Sequence, residues 1–277
     1  MLETLQRRLV GIPGVAGLWS RFPIGSLPTR VDYGIWHRSR YVPYLFGVHR
    51  AALLASALGH PRISCLEFGV AGGNGLVALE EIAAAVSADT GVIIDVAGFD
   101  SGAGMPPPRD YRDLPHVWEA GFYKMDLEAL RRRLKQTTRL CIGDVRETVP
   151  QLLADNVAPV GFVSFDLDFY SSTTEALRLF RAPHTALLPR VYCYFDDVVW
   201  PEFACHSEFT GELRAIEEYN GLSETRKIAQ LRMLRWMLPR QARWQEQIYI
   251  HHAFEHPEYA VNVMPSGAAF RQLPLAT

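Results

Sequence analysis

Short apolar runs that end in an acidic residue recur through the middle of the chain, at Ile63–Glu67, Ile94–Asp100, Leu140–Asp144, Val160–Asp166 and Val191–Asp196. Between them, apolar residues return at helical spacing over Leu76–Val86, Leu127–Leu134, Val149–Leu153 and Thr173–Phe180. Strand-length runs alternating with helices of this length predict a parallel α/β sheet with helices on both faces. Open sheets of that kind bind ligands beyond the C-terminal ends of their strands, which is where these acids fall. Ahead of the rhythm, Tyr44–Leu58 reads as a helix stopped by Gly59-His60-Pro61. Behind it come a helix over Glu208–Tyr219 and a second helical stretch over Glu224–Leu238, interrupted at Pro239. Two extended runs, Gln247–Phe254 and Tyr259–Met264, flank Glu255-His256-Pro257-Glu258 and read as a hairpin. Residues 1–42 are irregular, with prolines breaking any long pattern. The simplest division is a single domain: an N-terminal helical extension to residue 60, a core over 61–200, a helical insertion over 221–243 and a C-terminal hairpin over 245–265.

The sharpest local feature is the stretch Leu66–Gly75, where the first predicted strand runs into Glu67 and then Gly69, Gly72, Gly73 and Gly75. A strand ending in a glycine-rich turn that opens a helix lets main chain approach a ligand beside unsatisfied helix N–H groups. A dinucleotide G-x-G-x-x-G does not fit, because Ala71 and Asn74 stand where glycines are required. Acid-x-Gly-x-small-x-Gly does fit, through Glu67, Gly69, Ala71 and Gly73. A turn of this kind without any ligand remains the bland alternative.

Composition narrows the classes. With 277 residues, 48% of them hydrophobic, the chain can bury a large core. The formal net charge of −2 gives no electrostatic footprint for nucleic acid. No stretch is long and apolar enough to predict a membrane span. Arg7 and Arg8 before a short apolar run imitate a signal peptide, but Pro13 and the glycines break it. Cys65, Cys141 and Cys193 lie inside apolar runs and Cys205 stands apart, with no C-x-x-C pair. That usage points to a reducing, cytoplasmic compartment without structural zinc. Arg131-Arg132-Arg133 reads as a solvated helix face with Glu128 placed to pair with Arg132.

Two acidic motifs follow the glycine turn. FDLDFY places Asp166 and Asp168 at the end of the fourth strand, and YFDDV places Asp196 and Asp197 at the end of the fifth. Neighbouring parallel strands lie about 4.8 Å apart, so the four carboxylates would converge. Convergent carboxylates repel, and a divalent cation with oxygen ligands relieves that. Exposed helix caps and loop acids are the alternative.

The order EFGVAGG, GFDSGAGMP, GDVRETVP, FDLDFYSST and YFDDV, over roughly residues 62–200, resembles the class I S-adenosylmethionine-dependent methyltransferases, and among them the macrocin O-methyltransferase (TylF) family. The resemblance implies a Rossmann-like, mostly parallel seven-stranded sheet with an antiparallel C-terminal hairpin. It implies Mg²⁺-dependent methylation of a sugar hydroxyl, with Asp168, Asp196 and Asp197 as metal ligands and Asp166 closer to the cofactor. It places Glu67, Gly69, Ala71, Gly73 and Asn74 at the cofactor turn, Asp100 and Ser101 at the ribose, and Asp144 with the Val145 N–H at the adenine. The alternative for Asp100 and Asp144 is a capping acid at a helix start. The long segment Gly102–Met125 reads as a mobile lid. It carries His116, the first candidate for the base that deprotonates the acceptor; His206 is the second. The acceptor would be a small hydroxylated molecule, a sugar diol or a catechol, and association with a second copy stays open. Rival readings are a metal-dependent glycosyltransferase using D-x-D, or a non-catalytic binding subunit of the same fold. A nicotinamide-dependent reductase lacks its Tyr-x-x-x-Lys, since none of Lys124, Lys135 and Lys227 has tyrosine four residues before it.

Overall fold

The computed structural model describes residues 41–264, apart from 156, 200, 233 and 238–240. The expectations for residues 1–40 therefore lie outside the described residues. The elements below belong to one compact unit, Tyr33–Val261. Its strands are β1 (Arg62–Phe68), β2 (Ile93–Asp100), β3 (Arg139–Ile142), β4 (Val160–Phe165), β5 (Leu187–Phe195), β6 (Arg226–Gln230) and β7 (Ile248–Ala253). They form one seven-stranded sheet in the order β3-β2-β1-β4-β5-β7-β6. The first five run parallel, and β7 is antiparallel to both of its neighbours, β5 and β6. The helices are α1 (Val42–Leu58), α2 (Asn74–Thr90), α3 (Leu127–Arg133), α4 (Val145–Ala154), α5 (Tyr170–Ala176) and α6 (Gly211–Gly221). This is the Rossmann-like architecture implied by the sequence, with the antiparallel strand at the C-terminal side.

Two elements differ from the sequence reading. The stretch 224–238 is not one helix: β6 occupies Arg226–Gln230, and only the short turn Leu234–Met237 is helical. As an edge strand β6 buries only Ile228 fully, so it lacks the alternation that announces a strand. The partner of β7 is therefore β6, and Tyr259–Met264 is not a strand. The Tyr259 ring instead packs on Phe254 at 5.1 Å and lies under the Arg190 guanidinium at 5.0 Å. The helix face over 131–133 holds, with Glu128 and Arg132 exposed and 3.8 Å apart.

One row of side chains sets the functional edge. β1, β2, β4 and β5 end within a residue of Phe68, Phe99, Phe165 and Phe195, all fully buried. Their register pairs Phe68 with both Phe99 and Phe165, and Phe165 with Phe195. The rings stack at centroid distances of 4.7, 5.4 and 4.6 Å. Apolar burial plus offset stacking fixes these strand ends flush with one another. The residues that follow each phenylalanine, Gly69, Asp100, Asp166 and Asp196, are thereby brought to one line above the core.

Two histidines sit neutral in the packing. Burial depresses His49 to about 4 and His251, stacked on Phe180, to about 3. Their unfolded values stay near 6.5, so the unfolded chain takes up protons that the folded chain refuses. The stabilising effect is complete above about pH 6.5 and is lost as pH falls, by about 2 kcal/mol per histidine at pH 5. Urea midpoints measured from pH 7.5 to 5 are expected to fall, and His251→Gln should make the slope shallower.

Candidate active site

A cleft of about 1240 Å³ opens above the phenylalanine row. Common small-molecule pockets hold roughly 300–1,000 Å³, so there is room here for two ligands side by side. One end is the glycine turn. Gly69, Ala71 and Gly73, the positions picked out by the acid-x-Gly-x-small-x-Gly pattern, have φ of 85, 47 and 83°. Asp100 holds the turn from β2, accepting from the Ala71 N–H at 2.8 Å and the Gly102 N–H at 2.6 Å. Gly69 is fixed by the close approach of β4, since a Cβ there would stand 1.8 Å from the Asp166 carbonyl oxygen. Gly72 lines the cleft with nothing within 4 Å of where a Cβ would stand, so this wall leaves space for a ligand.

Of the residues assigned to the cofactor, Gly69, Ala71, Asp100, Ser101, Asp144, Val145 and Asp166 line the cleft. Three do not. Glu67 is 2% exposed and lies beneath the turn, where it accepts from the Tyr44 hydroxyl at 3.1 Å. Gly73 faces α3, and a Cβ there would meet Leu130 at 2.2 Å. Asn74 is exposed at the start of α2, away from the cleft wall. Asp144 caps α4, accepting from the Arg146 N–H at 2.8 Å, and pairs with the Arg146 guanidinium. That pairing holds its carboxyl well below the usual range, at about 2.

Tyr44 also accepts from Ser164 at 2.9 Å, so it ties α1, β1 and β4 together under the turn. Tyr44→Phe is expected to destabilise the fold by about 1–3 kcal/mol, because Glu67 and Ser164 each lose a buried partner. Binding at the cleft should be unchanged, since Glu67 does not reach it; thermal melts and ligand titration on the same variant check both halves.

The other end of the cleft is acidic. Asp166, Asp196 and Asp197 each offer an oxygen, and the three lie within 4.8 Å of one another. Asp168 is not part of that triangle. β4 ends at Phe165 and the chain turns, so Asp168 adopts φ 57° and its N–H donates to Asp197 Oδ2 at 2.9 Å. Asp168 still lines the cleft, and burial raises its carboxyl to about 7. Asp197 is 4% exposed and is also raised, by burial first and by Asp168 second. Asp196 accepts from the Tyr194 hydroxyl, and Gln247 Nε2 donates to its carbonyl at 2.6 Å. Among the described residues no lysine or arginine forms an ion pair with Asp196 or Asp197. Three hard oxygen donors, half-buried to buried, are the donor set that a divalent cation such as Mg²⁺ takes.

Neither histidine lines the cleft: His116 is exposed and His206 half-buried. The 102–125 segment is also more firmly held than a free lid. Met105 N–H donates to the Phe122 carbonyl at 2.9 Å and Gly121 N–H to the Met105 carbonyl at 2.8 Å, closing its neck. Leu114 and Trp118 pack with Phe169 and Ala204 in a small core of their own. Asp113, fully buried, accepts from the Ser171 N–H and hydroxyl at 2.8 and 2.9 Å. Trp118 and Tyr123 face the cleft from this loop. Burial, then the nearby carboxylates, push Tyr123 up to about 12. Among the described residues, three of the five non-glycine positions with positive φ (Ala71, Tyr123 and Asp168) line the cleft, the usual concentration of backbone strain at a working site.

Solved structures of two methyltransferases share this fold. The chain resembles CalS11, a calicheamicin methyltransferase, at 19% identity over 92% of this chain and 91% of that one, with a TM-score of 0.54. It resembles the O-methyltransferase NovP at 15% identity over 76% and 79% of the two chains, with a TM-score of 0.50. The chain has the fold of the S-adenosylmethionine-dependent O-methyltransferases. No protein-family model matches the sequence, and a search of curated proteins found no match. No described helix of this methyltransferase fold is long and apolar enough to cross a membrane.

Proposed function

We propose that the protein transfers a methyl group from S-adenosylmethionine to a hydroxyl of a sugar or other vicinal diol, with Mg²⁺ held by Asp166, Asp196 and Asp197. The observation that carries this reading is the joining, in one cleft, of the glycine turn with Asp100 and of the triangle of three carboxylates. This differs from the ligand set of the family resemblance by one residue, Asp166 in place of Asp168. The turn and Asp100 suit the nucleoside end: each carboxylate oxygen has two lone pairs, so Asp100 can take ribose hydroxyls while keeping its two N–H partners. At the adenine end Asp144 is committed to Arg146, and the Val145 N–H, at the first position of α4, is a donor without a helical acceptor.

Bound Mg²⁺ would supply Lewis acidity, lowering the pKa of the acceptor hydroxyl. The residues of the chain do the rest. Trp118 and Tyr123 wall the acceptor side, and the phenylalanine row holds the two ends of the cleft in fixed register. With both histidines off the wall, Asp168 is the residue positioned to accept the hydroxyl proton as the oxygen takes the methyl group. Holding the oxygen in line in this way is worth about 7–11 kcal/mol in favourable cases.

Calorimetric titration with S-adenosylhomocysteine, a nucleotide sugar and NAD(P)⁺, each with and without Mg²⁺, tests the reading. S-Adenosylhomocysteine should bind and NAD(P)⁺ should not. Binding of the nucleotide sugar alone would favour glycosyl transfer, and binding of none would favour a non-catalytic subunit. Labelled methyl transfer to a panel of glycosides and catechols, stopped by EDTA, then addresses the acceptor.

A further inference from the structure

Glu212 has no role in the mechanism above, yet its side chain is fully buried. It reaches from the first turn of α6 to the end of β5, where its Oε2 accepts from the Asp197 N–H at 3.1 Å. Its other oxygen, Oε1, has no hydrogen-bond partner among the described residues. Asp197 needs such a support. Asp197 is the second residue of the short turn 196–198, where a main-chain N–H has no helical acceptor. The Asp197 carboxylate meanwhile is tied on its Oδ2 side by the Asp168 N–H. A fully buried carboxylate with one main-chain partner and acidic neighbours is a costly way to satisfy one N–H, and an apolar residue would burden the fold less.

We propose that Glu212 is a positioning residue of the cation site, fixing the Asp197 main chain so that its carboxylate meets those of Asp166 and Asp196. The inference rests on the Mg²⁺ reading and extends it to a residue that does not line the cleft. Outer partners that orient metal ligands typically change affinity by about 10–100-fold when removed.

The test is calorimetric titration of Mg²⁺ into the full chain, with melting temperatures of the metal-free protein. Glu212→Gln keeps an oxygen for the Asp197 N–H and should bind Mg²⁺ within about tenfold of the parent. Glu212→Leu fills the volume without that oxygen and should bind about 10–100-fold more weakly than the Gln variant. Its metal-free melting temperature should be equal to or above the parent's, an opposite movement that a merely structural role would not give. If the Leu variant does not fold, Glu212→Ala is read in the same way for affinity. Equal Mg²⁺ affinity in the Gln variant and in the folded variant lacking the oxygen would overturn the proposal. A parent protein that binds no Mg²⁺ would overturn the metal reading itself.

Discussion

Asp196→Asn and Asp197→Asn are each expected to remove Mg²⁺ binding and to lower methyl transfer by at least about 100-fold. The isosteric amide leaves the packing alone and withdraws one of three charges from a triangle only 4.8 Å across. Lewis-acid stabilisation is worth several kcal/mol, and each 1.36 kcal/mol is tenfold in rate, which sets the scale. In the Asp197→Asn variant the new amide would still offer its oxygen to the Asp168 N–H, so the local turn should survive. S-Adenosylhomocysteine affinity should stay within a few-fold, because the glycine turn and Asp100 form the other end of the cleft. The metal-free variants should melt no lower than the parent: Asp197 is a buried acid pushed upward by burial and by Asp168, and neutralising it relieves repulsion. Kinetics with and without EDTA, beside cofactor titration and thermal melts, separate these effects. A variant that keeps its Mg²⁺ affinity would mean that the acids were wrongly divided.

Gly69→Ala should be severely damaging. At φ 85° an alanine is strained by about 1–2 kcal/mol before any contact is counted. Its Cβ would also stand 1.8 Å from the Asp166 carbonyl oxygen, which belongs to main chain and cannot swing aside. β1 and β4 must separate, pulling Phe68 from Phe165 and moving Asp166 relative to Asp196. The expected loss is about 3–5 kcal/mol, the range for severe core disruption, or a fall in melting temperature near 10 °C at this size. Both S-adenosylhomocysteine and Mg²⁺ binding should fail together in whatever folded protein remains. Selective loss of cofactor binding with full stability would show that ligand space, and not strand contact, demands the glycine.

Much of this was legible in the chain because strand ends carry their chemistry in consecutive residues. Each Phe-acid or Phe-Gly junction, at 68–69, 99–100, 165–166 and 195–196, marks a strand end; the recurring phenylalanine is a signal in the sequence that only the register explains. What was not legible depends on partners distant in sequence. Glu67 reads as a cofactor acid in the sequence, and only the fold shows its Oε1 accepting from Tyr44, on α1, beneath the turn. The D-x-D spacing puts Asp166 and Asp168 on one face of an extended strand, but the strand stops first and the turn sends Asp168 to φ 57°. Glu212 is indistinguishable by pattern from Glu217 and Glu218 on the same helix, and only packing buries it. β6 was hidden for the opposite reason, being an edge strand with little apolar content. His116 lies in a segment whose Leu114 and Trp118 are buried while it is itself exposed, a division that the sequence does not announce.

Whether one cleft holds cofactor at its glycine end and a divalent cation at its acidic end is tested most directly by a crystal structure with S-adenosylhomocysteine and Mn²⁺, with anomalous scattering recorded for the metal. One metal peak is expected, bounded by Asp166, Asp196 and Asp197, with the nucleoside against Gly69–Gly72 and its ribose at Asp100. A metal peak elsewhere, or a nucleoside bound away from the glycine turn, would contradict it.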